Sequence, residues 1–584
     1  MAKIFNPDVI KLTKYLFFTG KGGVGKTSAA CATALTLADD GKRIMLVSAD
    51  PVSNLQDVFD TELDNKGATI EGVPNLTVVN FHPEKAAEEY KESVVESYRG
   101  KFPEAGINNL EEQLSDSCMV EIEVFNEFSN LVMDNKVQKK FDHIIFDTAP
   151  TSHTLRMLKL CSAWRSSIDE NINEAPGFGQ LAGLESRKEI YKSAIETLAD
   201  KDMTTLILVS RPERSQLTEA EQVSKELKNI GLNNQILLIN GVLQNHDDQL
   251  SESIYKQQQD TIREMPANIK TLEQYEIPLR PYNITGLDNI RALFKEENTC
   301  FCYEELNIKR IPVLNDVVKD LYNSRKKIIF IMGKGGVGKT SIAGAIALGL
   351  ANMGKKVHLA TTDPAANFKL VLGDCYGITL SNIDVKAELE KYKEKVLGKA
   401  KKVMNDDDIE YIKEDLRSPY TQEIAVFSAF ADIVDKLEKE IVIVDTAPTG
   451  HALLLLESTQ KYNMEIQRTQ GDMPESVSRL LSKLRNPDET EVVITTLAEP
   501  ASVYEAERLE YDLNRAGIKS KWWVINSSLY AGNPRNMILK IKANNEIAWI
   551  NKVDEISRGN FALVEWKPGD IKGEKLIDLL RLTK

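Results

Sequence analysis

Short runs of almost wholly apolar residues alternate along the chain with longer stretches in which apolar residues recur at helical spacing. Runs of the first kind include residues 15–18, 44–49, 144–147, 206–209 and 236–240. A strand reads as continuously apolar when both of its faces are buried, as they are in a parallel sheet covered by helices. The pattern therefore predicts an α/β fold with mostly parallel strands and helices on both faces of the sheet.

The same order of motifs occurs twice along the chain. The octapeptide GKGGVGKT occupies residues 20–27 and again residues 333–340, each time after an apolar run and before an alanine-rich helical pattern. An Asp-Pro pair follows each copy at the same spacing, and the segment DTAPT follows later at residues 147–151 and 445–449. A repeat of this kind predicts one structural unit that is formed twice.

The repeat sets the expected domain boundaries. We predict a first domain at residues 1–295, a linker at 296–326 and a second domain at 327–584, because the charged stretch between the copies has no paired motif. Stretches rich in lysine and glutamate at residues 83–140 and 387–440 show helical spacing. These two stretches are predicted to be helical insertions.

Composition and charge exclude several classes of protein. The 584 residues are 42% apolar and 27% charged, which is typical of a globular chain. A net charge of −14 argues against nucleic-acid binding, which needs clustered lysine and arginine. No apolar run approaches the ~20 residues of a membrane-spanning helix, and no signal-peptide pattern is present. Six cysteines are too few for a disulfide framework in so long a chain, so we expect free thiols in the cytoplasm.

Each GKGGVGKT copy matches the pattern of a phosphate-binding loop between a strand and a helix. In such a P-loop, backbone N–H groups and the helix N-terminus surround the phosphates of ATP. Lys26 and Lys339 are expected to neutralise the β- and γ-phosphates, while Thr27 and Thr340 offer hydroxyls to Mg²⁺. The predicted fold is therefore two P-loop NTPase domains in tandem. The predicted nucleotide-binding residues of the loops are Gly20, Gly22, Gly23, Val24, Gly25, Lys26, Thr27, Ser28, Gly333, Gly335, Gly336, Val337, Gly338, Lys339, Thr340 and Ser341.

Four aspartates follow predicted parallel strands, at the sheet edge where open α/β folds bind ligands. We assign Asp50 and Asp363 to orienting the attacking water, and we include both as candidate Mg²⁺ ligands. Asp147 and Asp445 are assigned to the shell of groups around Mg²⁺. The alternative for Asp50 and Asp363 is a turn residue at a strand end, which is common in Asp-Pro pairs.

Lys21 and Lys334 are the second residues of the two loops, and the general P-loop pattern does not require either. Each could be a solvated surface lysine. The sequence here resembles the deviant Walker A class of ATPases, in which this signature lysine reaches the nucleotide of the other subunit. The resemblance implies an internal pseudo-dimer of the two halves, in which Lys21 serves the second site and Lys334 the first.

The doubled GKGGVGKT, the Asp-Pro loops and the DTAPT segments, followed by His153 and His451, resemble the arsenite-transporting ATPase (ArsA) family over nearly the whole chain. The resemblance implies ATP hydrolysis coupled to extrusion of arsenite or antimonite. It implies a membrane pump subunit (ArsB-like) as a partner, a metallochaperone (ArsD-like) as a further candidate, and a cytoplasmic protein associated with the membrane through its partner. It places the adenine near Asn240 and Asn526, in the segments LLINGVL and WVINSSL.

The family binds its metalloid between the halves through three cysteine thiolates with nearby histidines and a serine, and soft thiolates suit As(III) and Sb(III). The resemblance carries over to four residues of this chain, namely Cys118, His153, His451 and Ser418. The chain departs from the family pattern in two places. Tyr420 stands where the second cysteine is expected, and residues 175–179 lack the third.

Other interpretations fit parts of the sequence. A targeting chaperone for tail-anchored or other hydrophobic membrane segments is a related ATPase, but it uses a methionine-rich apolar insertion, whereas the insertions here are charged. A positioning ATPase of the ParA/MinD type is typically a single-domain dimer. Cys118 could equally be an inert buried thiol, and Cys300 with Cys302 forms a CxC pair that is a weak signal for metalloid capture.

Overall fold

The chain forms two compact units, Met1–Cys300 and Phe301–Lys584. Its computed structural model describes residues 3–7, 10, 12–48, 55–59, 61, 63, 67–81, 118–148, 188–282, 286–295, 311–361, 378–400, 419–436, 440–445, 475–569 and 571–582. In the described part, each unit contains one sheet with helices packed on it.

The strands of the first unit are β1 (Lys3–Ile4), β2 (Tyr15–Thr19), β3 (Ile44–Ser48), β4 (Ala68–Ile70), β5 (Val73–Asn80), β6 (His143–Asp147), β7 (Thr204–Ser210), β8 (Gln235–Val242) and β9 (Glu273–Pro278). They form a sheet in the order β1-β9-β8-β7-β2-β6-β3-β5-β4. Neighbouring strands are parallel, except that β4 runs antiparallel to β5.

The helices described in the first unit are α1 (Lys26–Asp39), α2 (Leu55–Phe59), α3 (Cys118–Met133), α4 (Asn135–Lys140), α5 (Lys188–Ala199), α6 (Arg214–Asn229), α7 (Gln249–Arg263), α8 (Ala267–Lys270) and α9 (Leu287–Ala292). Helices α3 and α4 lie within the predicted insertion at residues 83–140. That part of the insertion is therefore helical, as its spacing predicted.

The strands of the second unit are β10 (Ile328–Met332), β11 (Val357–Thr361), β12 (Ile378–Asn382), β13 (Ile441–Asp445), β14 (Thr490–Thr496), β15 (Ser520–Ser528) and β16 (Phe561–Glu565). They form an all-parallel sheet in the order β12-β11-β13-β10-β14-β15-β16. This order matches β5-β3-β6-β2-β7-β8-β9 of the first unit strand for strand. The prediction of two tandem α/β domains with mostly parallel sheets is confirmed.

The helices described in the second unit are α10 (Leu314–Asn323), α11 (Lys339–Asn352), α12 (Val385–Ala400), α13 (Pro419–Lys436), α14 (Glu475–Arg485), α15 (Pro500–Arg515), α16 (Leu529–Gly532) and α17 (Met537–Ser557), with a 3₁₀ helix at Gly573–Leu580. Helix α10 falls inside the predicted linker, yet Leu314, Val317 and Leu321 are buried in the apolar core of the second unit. The domain boundaries at residues 295 and 327 stay predictions.

Alternate residues of the central strands enter separate apolar clusters on the two faces of each sheet. Tyr15 and Phe17 of β2 belong to one cluster, and Leu16 and Phe18 to the other. Strands β10, β11 and β13 to β16 likewise contribute to two clusters. Because successive side chains of a strand point to opposite faces, burial of both faces explains the continuous apolar runs in the sequence.

Candidate active site

A glycine-rich loop connects a central strand to a helix in each unit, between β2 and α1 in the first and between β10 and α11 in the second. The last loop residues, Gly25 and Gly338, have φ angles of 90° and 89°. An L-residue with a side chain adopts this left-handed region only with strain, so both positions favour glycine. Each loop places a helix N-terminus at the carboxyl edge of its sheet, where backbone N–H groups can bind an anion.

Close packing against neighbouring strands also requires glycine in the loops. A Cβ atom on Gly25 would lie 2.2 Å from Nδ2 of Asn240, and one on Gly338 would lie 2.1 Å from Nδ2 of Asn526. The first glycine of each loop is packed as tightly. A Cβ on Gly20 would lie 2.3 Å from a backbone oxygen of β7, and a Cβ on Gly333 would lie 2.1 Å from a backbone oxygen of β14. In contrast, nothing lies within 4 Å of a Cβ on Gly23.

A threonine hydroxyl meets an aspartate carboxylate beside each loop. Oγ1 of Thr27 donates to Oδ2 of Asp147 at 2.8 Å, and Oγ1 of Thr340 donates to Oδ2 of Asp445 at 2.7 Å. Both aspartates are buried and end the strands β6 and β13. In each unit the structure therefore brings together two of the residues that the sequence assigned to Mg²⁺ or its surroundings, and their oxygen atoms are of the type that Mg²⁺ prefers.

A second buried hydroxyl, which the sequence reasoning missed, lies beside each carboxylate. Oγ of Ser48 is 3.5 Å from Oδ2 of Asp147, and Oγ1 of Thr361 is 3.5 Å from Oδ2 of Asp445. Strand register pairs the same residues, because Ser48 stands opposite Asp147 and Thr361 opposite Asp445. The sequence signal was a hydroxyl residue two positions before each Asp-Pro pair.

Lys26 and Lys339 begin α1 and α11, and both are buried. The ammonium of Lys26 donates to the carbonyl oxygen of Lys21 at 3.3 Å, and that of Lys339 donates to the carbonyl oxygen of Lys334 at 2.9 Å. Each charge therefore lies against its own loop, at the helix N-terminus. This is the position from which a lysine can bind phosphate oxygens.

The signature lysines form ion pairs with glutamates of their own units. Nζ of Lys21 lies 3.0 Å from Glu219 on α6, and Nζ of Lys334 lies 2.6 Å from Glu505 on α15. The lysine side chains are 49% and 38% exposed. Exposed ion pairs of this kind typically contribute about 0–1 kcal/mol, so these contacts exchange readily. Sequence reasoning missed both glutamates because they are distant from the loops along the chain.

The two asparagines predicted to lie near the adenine connect neighbouring strands to the loops. Nδ2 of Asn240 donates to the carbonyl oxygen of Val24 at 2.8 Å, and Nδ2 of Asn526 donates to that of Val337 at 2.9 Å. Strands β8 and β15 are thereby joined to the phosphate-binding loops. The predicted role at the base of the nucleotide stays a prediction.

Several predicted site residues lie outside the described part of the chain, namely Asp50, Asp363, His153, His451, Ser418, Cys300 and Cys302. Cys118 is the first residue of α3, and Tyr420 lies in α13, but their side chains are also outside the description. Their predicted roles stay predictions.

The described residues fit a magnesium–nucleoside triphosphate. The left-handed glycines keep side chains out of the loop, and the hydroxyl of Thr27 and carboxylate of Asp147 supply adjacent oxygen ligands. Lys26 adds a buried cation at the helix N-terminus. The second unit repeats each of these features. Such a donor set binds phosphates and a hard cation rather than a soft metal.

Comparison with known proteins gives matches over both units. The family model described as anion-transporting ATPase (ArsA ATPase) matches residues 13–296, 326–471 and 465–578. The chain is 41% identical over 574 residues to the arsenical pump-driving ATPase of Acidiphilium multivorum, an alignment that covers 97% of this chain and 98% of the relative. It is 41% identical over 557 residues to an arsenical pump-driving ATPase of Escherichia coli, covering 94% of this chain and 95% of the relative.

A more distant similarity covers about one unit. The chain is 28% identical over 319 residues to the ATPase GET3 of Candida glabrata, which covers 48% of this chain and 90% of that protein.

Among the helices of the described ranges, none combines the length and apolar character needed to cross a membrane. The repeated P-loop geometry and the family match over both units lead to one conclusion: the chain belongs to the anion-transporting ATPase (ArsA) family and is an ATP-hydrolysing enzyme.

Proposed function

We propose that each unit binds Mg²⁺-ATP at its P-loop and that hydrolysis drives the extrusion of arsenite or antimonite through a membrane pump. The nucleotide sites are proposed from the hydrogen bond between a threonine and a buried aspartate beside each loop, at 2.8 and 2.7 Å. Thr27 and Thr340 would be direct ligands of the cation. Asp147 and Asp445 orient those hydroxyls by accepting their protons in hydrogen bonds. When bound, Mg²⁺ neutralises charge on the β- and γ-phosphates.

Within each site, the buried lysine and the loop amides hold the phosphates. Lys26 and Lys339 leave the loop carbonyls to which they donate and bind β- and γ-phosphate oxygens instead. Asn240 and Asn526, which already join β8 and β15 to the loops, position the segment proposed to face the base. In each site, binding therefore draws on a further strand of the sheet as well as on the loop itself.

Asp50 and Asp363 are proposed to orient the attacking water, and both are also candidate ligands of Mg²⁺. The double variant Asp50→Asn with Asp363→Asn keeps the size of both side chains and removes their charge. We expect ATP binding to persist while turnover is lost, as measured by equilibrium binding and phosphate release. Continued hydrolysis by this variant would remove both aspartates from the role.

Arsenite or antimonite is proposed as the transported substrate because of what similar proteins are named for. Proteins named arsenical pump-driving ATPases are 41% identical to this chain over nearly its full length. By this similarity the chain would work in the cytoplasm, on the membrane surface, through a pump subunit of the ArsB type. An ArsD-type metallochaperone is proposed as the donor of the metalloid.

The proposed metalloid site contains Cys118, His153, His451 and Ser418. With one thiolate in place of three, we expect As(III) to bind more weakly than at a three-cysteine site. The test is the ATPase rate with and without arsenite or antimonite, in wild type and in Cys118→Ser. Cys31→Ala is a matched control, because burial and the nearby Asp147 carboxylate raise the pKa of the Cys31 thiol and make it unreactive.

We expect the metalloid to stimulate the wild type and the control but not Cys118→Ser. If no metalloid stimulates any of the three proteins, the transport assignment fails. Equal stimulation of all three would leave the coupling in place and remove Cys118 from the site.

The signature lysines are proposed to act across an internal pseudo-dimer, Lys21 at the second site and Lys334 at the first. In related phosphoryl transfers, a cation that is supplied to the site from a neighbouring domain or subunit raises the rate of hydrolysis on the order of 10³–10⁵-fold. Lys21→Ala should therefore slow hydrolysis at the second site far more than at the first. Single-turnover rates in variants with one P-loop lysine removed would measure this, and an effect on the first site alone would contradict action across the halves.

The alternative function is a targeting chaperone for hydrophobic membrane segments. It is kept because of the similarity to ATPase GET3 at 28% identity over about half of the chain. This alternative predicts that the protein captures an apolar helical peptide in an ATP-dependent way. Binding of such a peptide, without stimulation by metalloid, would favour the chaperone over the pump.

A further inference from the structure

In each unit, the strand that carries the loop-binding asparagine has an irregular turn, seen as a shift of strand register, at the next residue. Asn240 is followed by Gly241 with φ 83°, and Asn526 is followed by Ser527 with φ 55°. A positive φ is cheap for glycine and strained for serine, so the second turn needs support from its surroundings. We call residues 241–243 and 527–530 the base loops, because the proposed function puts the base of ATP beside them.

In the second unit, the support comes from the carboxylate of Glu546 on α17. It accepts hydrogen bonds from the hydroxyl of Ser528 at 2.7 Å and from the backbone N–H groups of Leu529 and Tyr530, both at 3.0 Å. Burial raises the pKa of Glu546 overall, although the hydrogen bonds that it accepts oppose this shift. Three donors converge on the two oxygens of this one buried side chain, so the contact fixes the base loop.

In the first unit, a neutral side chain holds the corresponding loop. The amide of Gln258 on α7 accepts from the backbone N–H of Leu243 at 2.8 Å and donates to the carbonyl oxygen of Gly241 at 3.1 Å. A carboxylate could not replace it, because a second acceptor would then face the carbonyl of Gly241. Glu546 and Gln258 thus hold corresponding loops with different hydrogen bonds. Glu546 only accepts from backbone N–H groups, whereas Gln258 accepts from one N–H and donates to one carbonyl oxygen.

We propose that Glu546 and Gln258 are positioning residues that set the base loops, and hence the recognition of the nucleotide base, separately in the two ATP sites. The inference deepens the proposed function and rests on it. Neither residue touches the phosphate-binding lysines or the threonine–aspartate pairs in the described structure. Their effect is therefore on how the base is held rather than on the groups that act on the phosphates.

The substitution Glu546→Gln separates positioning from bulk, because it keeps the size of the side chain and replaces one acceptor oxygen by an NH₂ donor. Whichever carboxylate oxygen the new amide nitrogen replaces, it opposes the backbone N–H of Leu529 or of Tyr530, so a hydrogen bond is lost and two donors face each other. We expect ATP affinity at the second site to fall roughly 5–150-fold, which is the range that the typical cost of an unsatisfied backbone donor gives. Inorganic tripolyphosphate, which has no base, should bind as before.

The experiment is calorimetric titration of the full chain with ATP and with tripolyphosphate. A Lys26→Ala background isolates the second site, and a Lys339→Ala background isolates the first. We expect Glu546→Gln to weaken ATP only in the Lys26→Ala background. The reciprocal variant Gln258→Glu should weaken ATP only in the Lys339→Ala background, and it repeats the test in the other unit if Glu546→Gln does not fold.

The results that would overturn the inference are distinct from those that would overturn the proposed function. If ATP and tripolyphosphate weaken together, or if neither changes, Glu546 does not act through the base loop and the inference is wrong. If the wild-type chain binds neither compound, the proposed nucleotide sites fail and the inference falls with them.

Discussion

Replacing Gly338 by alanine should destabilise the second unit more than the same change at Gly336, although the two glycines have nearly equal φ angles of 89° and 84°. At Gly336, nothing lies within 4 Å of the added Cβ. At Gly338, the Cβ would lie 2.1 Å from Nδ2 of Asn526, so that side chain has to move. The pair of variants separates backbone strain from loss of one contact.

The magnitude follows from these two contributions. An alanine in the left-handed region costs about 1–2 kcal/mol, partly offset by the smaller entropy of the unfolded chain, which returns about 0.4–1 kcal/mol. Gly336→Ala should thus cost about 0.5–1.5 kcal/mol. Displacing the buried Asn526 from the carbonyl of Val337 adds about 1–3 kcal/mol for an unsatisfied buried group. Gly338→Ala should therefore cost about 1.5–4.5 kcal/mol in total.

Tryptophan fluorescence during urea unfolding reports on this unit, because every tryptophan except Trp164 lies after residue 300 and Trp523 is fully buried. The unfolding midpoint should fall for both variants, and further for Gly338→Ala, without a change in slope. Equal midpoints for the two variants would refute the close packing of the loop against β15. A lower midpoint for Gly336→Ala than for Gly338→Ala would refute it as well.

Three further outcomes are expected. Thr27→Val removes the hydroxyl that donates to Asp147, so Mg²⁺ should no longer increase the affinity of the first site for ATP. The measurement is titration with ATP in the presence of Mg²⁺ and in the presence of a chelator. If Mg²⁺ increases the affinity of the variant as much as that of the wild type, the magnesium assignment is wrong. Hydrogen bonds from Arg43 lower the pKa of Asp142 to about 2. The ion pair between Asp142 and Arg43 therefore stabilises the folded chain at pH values above about 4, the pKa of an aspartate in the unfolded chain. In urea titrations the wild type should be more stable than Asp142→Asn at neutral pH, and this difference should vanish as pH falls from about 4 to about 2. Glu219→Gln, which removes the ion pair of a signature lysine, should change stability by less than ~1 kcal/mol, and thermal unfolding that shows a larger loss would mean that this pair is structural.

The local sequence determined much of the fold and part of the site. Continuous apolar runs predicted the strands because both faces of each sheet are buried, and the GKGGVGKT repeats predicted two loops of one geometry. The assignment of Thr27 and Asp147 to one magnesium site required only the rule that parallel strands end at the same sheet edge. These features depend on the residue types in short segments, so a single sequence contains them.

Contacts between distant segments could not be predicted from those segments. Ser48 reaches Asp147 because β3 is paired with β6, and the order of strands in a sheet is not written in the pattern of any one strand. The ion pair of Lys21 with Glu219 and the support of a base loop by Glu546 depend in the same way on which helix packs beside which strand. The sequence by itself determined the chemistry of the two loops and their duplication. Only the tertiary structure decided which polar groups complete each loop, because side chains far apart along the chain become neighbours only when the sheet and its helices assemble.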